Sequence, residues 1–108
     1  KEVVRSYSIS DAATKEAIAA VYAQQKYLLD PHGAVGYLAL EKYLAQHPDQ
    51  SGIFLATAHP VKFYDVVEPV IHEKIALPPA IQALLSLKKK SIRIQPDSDV
   101  FKQYLLER

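Results

Sequence analysis

The sequence contains no cysteine, methionine or tryptophan among its 108 residues. The absence of cysteine excludes disulfide bonds, a thiolate nucleophile and zinc held by sulfur. The 13 basic and 12 acidic side chains leave a formal charge of +1, which gives no long-range field to attract nucleic acid or an anionic membrane. The longest strongly apolar run, residues 53–58, is far shorter than the ~20 residues that a membrane-spanning helix needs. We therefore expect neither a nucleic-acid partner nor a membrane partner.

The lack of methionine also bears on domain organisation. A translated chain starts with methionine, whereas this sequence starts at Lys1 and has no methionine anywhere. No signal or transit segment is recognisable near Lys1. The length and the 49% hydrophobic content suit a single globular unit. We interpret residues 1–108 as one segment of a longer chain.

Apolar residues at a spacing of three to four predict five helices. They are expected over residues 11–25 after the capping residues Ser10 and Asp11, over residues 33–46, from Pro60, after Pro79 and after Pro96. The second helix is apolar almost all round from Ala34 to Leu40, so it should be buried on all sides or, in an isolated segment, expose an apolar face and self-associate. Pro69 should kink or divide the third helix.

Three further segments, residues 3–9, 53–58 and 91–95, are predicted as β-strands. The continuous apolar run 53–58 is typical of a central strand in a parallel sheet covered on both faces. Residues 91–95 alternate like a half-exposed strand. The order of these strands and helices predicts an α/β fold, with a small sheet flanked by helices.

Catalytic motifs are scarce. The sequence has no G-x-S-x-G nucleophile elbow and no glycine-rich phosphate loop. The four histidines, at positions 32, 47, 59 and 72, lack metal-ligand spacing on one helix face, and we expect no metal site. The Lys88–Lys90 run is expected to be solvated at the negative end of its helix.

Thr57 is the first candidate ligand-binding residue. It lies at the carboxyl end of the predicted strand 53–58, directly before His59 and Pro60. Ligands of open α/β sheets bind at this edge, next to helix N-termini. The alternative is that Thr57 and His59 only cap the following helix. A free-standing α/β module that binds a small anion at the Thr57 edge, or has a regulatory role, therefore remains a second functional hypothesis.

The turn Asp30-Pro31-His32-Gly33 is the second candidate. It is a polar segment that leads directly into the apolar helix. The alternative to a role in ligand binding is a capping turn in which Asp30 and His32 are both exposed to solvent. The residues alone do not decide between these two interpretations.

The two histidine-containing motifs, in this order, resemble the C-terminal region of the threonine synthase family of bacterial and fungal type. The resemblance rests on Ser8–Asp11, on Tyr27–His32 with Ala34–Gly36, and on Ala56–Pro60 with Lys62–Phe63. It implies the tryptophan-synthase β-like fold of fold-type II pyridoxal-phosphate enzymes. It also implies a cytoplasmic enzyme that converts O-phospho-homoserine and water into threonine and phosphate.

The resemblance further implies roles for single residues. Thr57 would face the pyridine nitrogen of pyridoxal phosphate, and His59 and His32 would lie in the pocket wall. The family places the lysine that binds the cofactor covalently, and the phosphate loop, N-terminal to this region. The segment is therefore expected to contain no catalytic residue and to be inactive alone. The family usually has a hydroxyl residue where this sequence has Gly33, so the contact made by that hydroxyl cannot form here.

Overall fold

The computed structural model describes residues 4–107, apart from the side chain of Leu85. All regular secondary structure within these residues is helical. The helices are α1 (Asp11–Gln25), α2 (Pro31–Leu44), a 3₁₀ helix (Pro60–Phe63), α3 (Tyr64–Ile71), α4 (Pro79–Leu85) and α5 (Ser98–Leu106). The prediction for residues 11–25 is confirmed, and the second helix begins two residues earlier than predicted. Over the described part of the chain, none of these helices has the length and apolarity needed to cross a membrane.

The predicted sheet is wrong. Residues 4–9, 53–58 and 91–95 form no strand in the described part of the chain, and Val3 lies outside it. Ile53 and Leu55 are 89% and 78% exposed, while Phe54 between them is half-buried. An apolar run becomes a central strand only where neighbouring strands pair its backbone and layers cover both faces. In the described chain residues 53–58 have no paired strand and no layers covering both faces. The described fold is therefore all-helical rather than α/β.

The chain divides into two compact units, Lys1–Leu77 and Pro78–Arg108. In the first unit α1 packs against both α2 and α3. Ile18 of α1, Ala34 of α2 and Val67 of α3 are fully buried where these helices meet, and Leu29 is 1% exposed. Burying an aliphatic side chain of this size contributes about 1.5–3 kcal/mol. This small core therefore holds α2 and α3 at fixed positions on α1.

Side-chain and backbone caps set the ends of α1. The Ala13 N–H donates to Ser10 Oγ at 3.3 Å, and Thr14 Oγ1 donates to the Ser10 carbonyl at 2.9 Å. At the other end Lys26 adopts the left-handed conformation with φ 55° and donates its N–H to the Tyr22 carbonyl. The predicted Ser10 cap is thus confirmed, and these contacts explain why α1 spans the predicted residues.

The helix α2 and the third predicted helix differ from the predictions in burial and in where they are interrupted. The first turn of α2 is covered at Gly33 and Ala34, but Val35 is 37% exposed, so the helix is not buried on all sides. The third predicted helix is divided at Phe63, where the 3₁₀ helix gives way to α3. Pro69 does not divide it, because α3 continues to Ile71. Pro69 has no N–H to donate to the carbonyl of Asp65 four residues earlier, and α3 ends two residues later at Ile71.

The second unit consists of α4, α5 and the segment between them. Among its described side chains none is buried, and Ile92 and Ile94 in the connecting segment are 63% and 42% exposed. Asp97 caps α5, because its Oδ1 accepts the N–H groups of Asp99 and Val100 at 2.8 and 3.0 Å. Local capping rather than a core therefore supports α5 within this unit.

Candidate ligand-binding turns

The two histidine-containing turns lie against each other in the first unit. We call residues 30–33 the Asp30 turn and residues 57–63 the Thr57 turn. The ring of His32 packs on the ring of Phe63, with centroids 5.0 Å apart and planes inclined by 56°. The structure thus brings together two motifs that are about thirty residues apart in sequence. Phe63, which makes this contact, was not among the predicted site residues, although it belongs to the motif that carries the resemblance.

Asp30 is the buried polar group of the site. It is 2% exposed, and its Oδ1 accepts the backbone N–H of His32 at 3.0 Å as the N-cap of α2. The same Oδ1 lies 3.3 Å from His32 Nδ1, and the His32 side chain is 67% exposed. The capping interpretation is therefore confirmed, while the expectation that Asp30 is solvated is wrong because α2 and its neighbours cover it.

The second carboxylate oxygen of Asp30 has an unusual environment. Asp30 Oδ2 is buried and has no hydrogen-bond partner among the described residues. A Cβ atom added at Gly33 would lie 3.0 Å from it. A hydroxyl side chain at position 33 would thus reach the unpaired oxygen, and Gly33 leaves it without a donor. Buried polar atoms of this kind are uncommon and costly, since an unmade hydrogen bond costs about 1–3 kcal/mol.

Thr57 lies in an irregular segment and is exposed. Its exposure leaves the Thr57 hydroxyl accessible from solvent. The argument that placed Thr57 at the edge of a sheet is wrong, because residues 53–58 form no strand. The anion-binding module loses its structural basis for the same reason, and the 3₁₀ helix that follows is only four residues long.

His59 caps the 3₁₀ helix, for which the sequence predicted Thr57 and His59 as capping residues. Its Nδ1 accepts the Val61 N–H at 3.2 Å at the start of the 3₁₀ helix, and Val61 itself is buried. The His59 side chain is otherwise exposed at the surface of the Thr57 turn. The capping alternative is therefore confirmed for His59 and not for Thr57.

The other titratable clusters lie apart from these turns. His47 Nδ1 is 2.8 Å from the Tyr43 carbonyl oxygen, and its ring stacks on the Tyr43 ring with centroids 4.1 Å apart. Within residues 4–107 no group of three potential ligands could hold a metal ion.

An open groove of about 370 Å³ lies along α3, and its lining residues include Tyr64, Glu68, His72 and Lys74. Hydrogen bonds from Lys74 at 2.7 Å and from the Ile75 N–H at 3.1 Å hold the pKa of Glu68 below its ordinary value. The groove contains none of the predicted site residues. Within the lining Glu68 pairs with Lys74, and Glu73 accepts a hydrogen bond from the Tyr22 hydroxyl at 2.7 Å.

The sequence is similar to those of known proteins. A sequence profile described as "Threonine synthase, C-terminal" matches residues 33–105. The threonine synthase of Buchnera aphidicola subsp. Schizaphis graminum is 36% identical over 105 residues, which is 97% of this chain and 24% of that protein. The threonine synthase of Saccharomyces cerevisiae is 39% identical over 98 residues, covering 79% of this chain and 19% of that protein.

The fold agrees with the sequence comparison. The crystal structure of threonine synthase from Escherichia coli superposes with a TM-score of 0.79 at 30% identity, covering 90% of this chain and 22% of that one. The helical arrangement is therefore that of a segment of an enzyme of this class. The chain belongs to the threonine synthase C-terminal family. It spans about a quarter of the length of the relatives it matches.

Proposed function

We propose that the chain is the C-terminal part of a cytoplasmic threonine synthase that converts O-phospho-homoserine and water into threonine and phosphate with pyridoxal phosphate. The observation that carries this proposal is the match to the family profile over residues 33–105, which includes the whole Thr57 turn and, of the Asp30 turn, Gly33. The superposition on a solved threonine synthase over 90% of the chain supports it.

The residues of the Thr57 turn suit a pyridine ring. The Thr57 hydroxyl is exposed and neutral, so it can hydrogen-bond to a ring nitrogen without holding that nitrogen in its charged form. Pyridoxal phosphate supplies, when bound, an electron-withdrawing ring that delocalises negative charge from the reacting carbon atoms. Thr57 would orient that ring, and His59 and His32 would form part of the wall beside it. Phe63, under the His32 ring, keeps that part of the wall apolar.

The segment is proposed to provide one wall rather than a whole active site. Ile53 and Leu55 are largely exposed beside Thr57, and the second unit has no buried side chain among those described. Apolar surface of this extent is normally covered by other protein. We propose that the rest of the enzyme, including the lysine that binds the cofactor, covers it, and that the isolated chain is inactive and self-associates. Sedimentation of the isolated chain measures that self-association.

The decisive experiment uses the two threonines of the chain. In a chimera, this chain replaces the corresponding segment of the Escherichia coli threonine synthase, and phosphate release from O-phospho-homoserine is measured. Thr57→Val should lower cofactor affinity or turnover because the ring loses its hydroxyl partner, whereas Thr57→Ser should retain both. Thr14→Val is the matched control, because Thr14 Oγ1 bonds to the Ser10 carbonyl in α1 and should affect stability alone. Unchanged kinetics in Thr57→Val would contradict the assignment of Thr57.

A further inference from the structure

The histidines of the two candidate turns lie in opposite hydrogen-bonding environments: Nδ1 of His32 is next to a carboxylate oxygen, and Nδ1 of His59 is next to a backbone N–H. We propose that Asp30 is a positioning residue that holds neutral His32 with its hydrogen on Nδ1, while the backbone holds His59 with its hydrogen on Nε2. The two rings then offer different atoms to a ligand. His32 offers the electron pair of Nε2, and His59 offers the Nε2 N–H.

The His59 tautomer follows from its cap. A backbone N–H can only donate, so His59 Nδ1, which lies 3.2 Å from the Val61 nitrogen, must carry its electron pair on that side. In a neutral imidazole one nitrogen accepts and the other carries the hydrogen. The hydrogen of neutral His59 is therefore on Nε2, and the exposed nitrogen of the ring is a donor.

The His32 tautomer follows from Asp30. An ionised carboxylate can only accept hydrogen bonds, and Asp30 Oδ1 is 3.3 Å from His32 Nδ1. An electron pair on Nδ1 would be repelled by this oxygen, whereas an N–H is attracted to it. The carboxylate cannot move away easily, because it is buried and its Oδ1 also accepts the His32 backbone N–H. Phe63 fixes the ring from another side, which leaves Nε2 as the accepting atom.

The pair of tautomers defines which ligand groups suit each ring. His59 can donate to an anionic oxygen such as that of a phosphate group. His32 Nε2 can accept from a hydroxyl, an ammonium group or a water molecule. The choice of ligand rests on the proposed function. The tautomers do not, because they follow from contacts within the chain, and they are measured without cofactor or substrate.

The test is a long-range proton–nitrogen NMR correlation of the histidine rings in the ¹⁵N-labelled 108-residue chain. The spectrum is recorded in alkaline buffer, because the proposal concerns the neutral form of each ring. His32→Gln and His59→Gln assign the signals. The wild-type chain should show a protonated Nδ1 for His32 and a protonated Nε2 for His59.

Asp30→Ser separates positioning from capping. Serine caps helices about as well as aspartate but is too short to keep the carboxylate contact with Nδ1. His32 should change to a mixture of both tautomers, while His59 stays unchanged. Asp97→Ser is the matched control, since it makes the same substitution at the N-cap of α5 and should leave both rings unchanged.

Three results would overturn the proposal. They are a wild-type His32 with its hydrogen on Nε2, a wild-type His59 with its hydrogen on Nδ1, or an Asp30→Ser chain that folds with an unchanged His32 signal. If Asp30→Ser does not fold, the wild-type spectrum decides. Unchanged kinetics of the Thr57→Val chimera, the result that contradicts the proposed function, would not change any of these NMR outcomes. Failure of this proposal and failure of the proposed function are therefore distinguishable.

Discussion

The two units of the chain contain helices of similar chemistry but differ in what supports them. In Lys1–Leu77 the helices enclose side chains such as Ile18 and Val67 that are fully buried. In Pro78–Arg108 even Phe101 on the apolar side of α5 is 49% exposed. Packing of an apolar face normally supplies most of the stability of a helix, and short isolated helices are marginal in water. The comparison teaches that the first unit can hold a site in place, whereas the second depends on caps and on any further protein that covers it.

Truncation of a core side chain should have the largest effect. Ile18→Ala removes a fully buried side chain of the first unit and should lower the free energy of unfolding by about 2–5 kcal/mol. Leu105→Ala in α5, where Leu105 is 54% exposed, should cost much less. Urea denaturation of both variants followed by circular dichroism makes the measurement. Equal losses would show that the second unit has a core as well.

Removal of a helix cap should have a smaller cost but a different consequence in each unit. Asp97→Ala and Ser10→Ala each remove an N-cap that accepts backbone N–H groups, at about 1 kcal/mol. Loss of the cap should unfold α5, because α5 has no buried face. The same loss should leave α1 folded, because α1 has a buried face. Amide hydrogen exchange over residues 98–106 and 11–25 distinguishes the two results. Retained protection of α5 in Asp97→Ala would mean that packing rather than capping supports it.

Substitution of Gly33 should change the environment of the unpaired Asp30 Oδ2 in the first unit. Gly33→Ser places a hydroxyl beside Asp30 Oδ2, and Gly33→Ala places the same Cβ there without a donor. Because both share the 3.0 Å contact of the Cβ, their difference isolates the hydrogen bond. The serine variant should be more stable than the alanine variant by about 1 kcal/mol in thermal denaturation. Equal stability would indicate that Oδ2 already has a partner in solution.

The smallest effect is expected at the exposed ion pair of α3. The pKa of Glu68 is lowered in the folded chain, so the unfolded chain takes up a proton first as the pH falls. This contribution to stability is present above the ordinary pKa of glutamate and is lost as the pH falls below ~4. Glu68→Gln should therefore lower the melting temperature slightly at neutral pH and by less in acid. An unchanged pH profile would show that the pair with Lys74 contributes nothing measurable.

Much of the helical structure could be predicted because its signals are local. The Ser10 cap and the spacing of Ile18 and Val21 define α1 within one short stretch of sequence. The strands could not be predicted reliably, because an apolar run such as residues 53–58 indicates only that some cover is expected. Whether that cover includes a paired backbone depends on residues elsewhere, and the described residues do not provide it.

The candidate site shows the same division between local and distant information. Asp30 and His59 were identified as potential caps from the sequence, and both are caps. The contact between His32 and Phe63, which brings the two turns together, has no signal in either motif alone. The burial of Asp30 was missed because an aspartate in a turn is ordinarily exposed. The sequence marks Gly33 as a departure from the family, but its effect on Asp30 Oδ2 depends on how the two residues lie in the folded chain.

By itself the sequence determined the helix caps, the position of α1 and the family, because each depends on residue types at fixed short spacings. The tertiary structure alone decided that the first unit has a core and that the described part of the second has none. It also decided that Asp30 is buried against α2 with one oxygen unpaired. Burial and ring contacts arise from the packing of helices that are distant in sequence, and no local pattern encodes them.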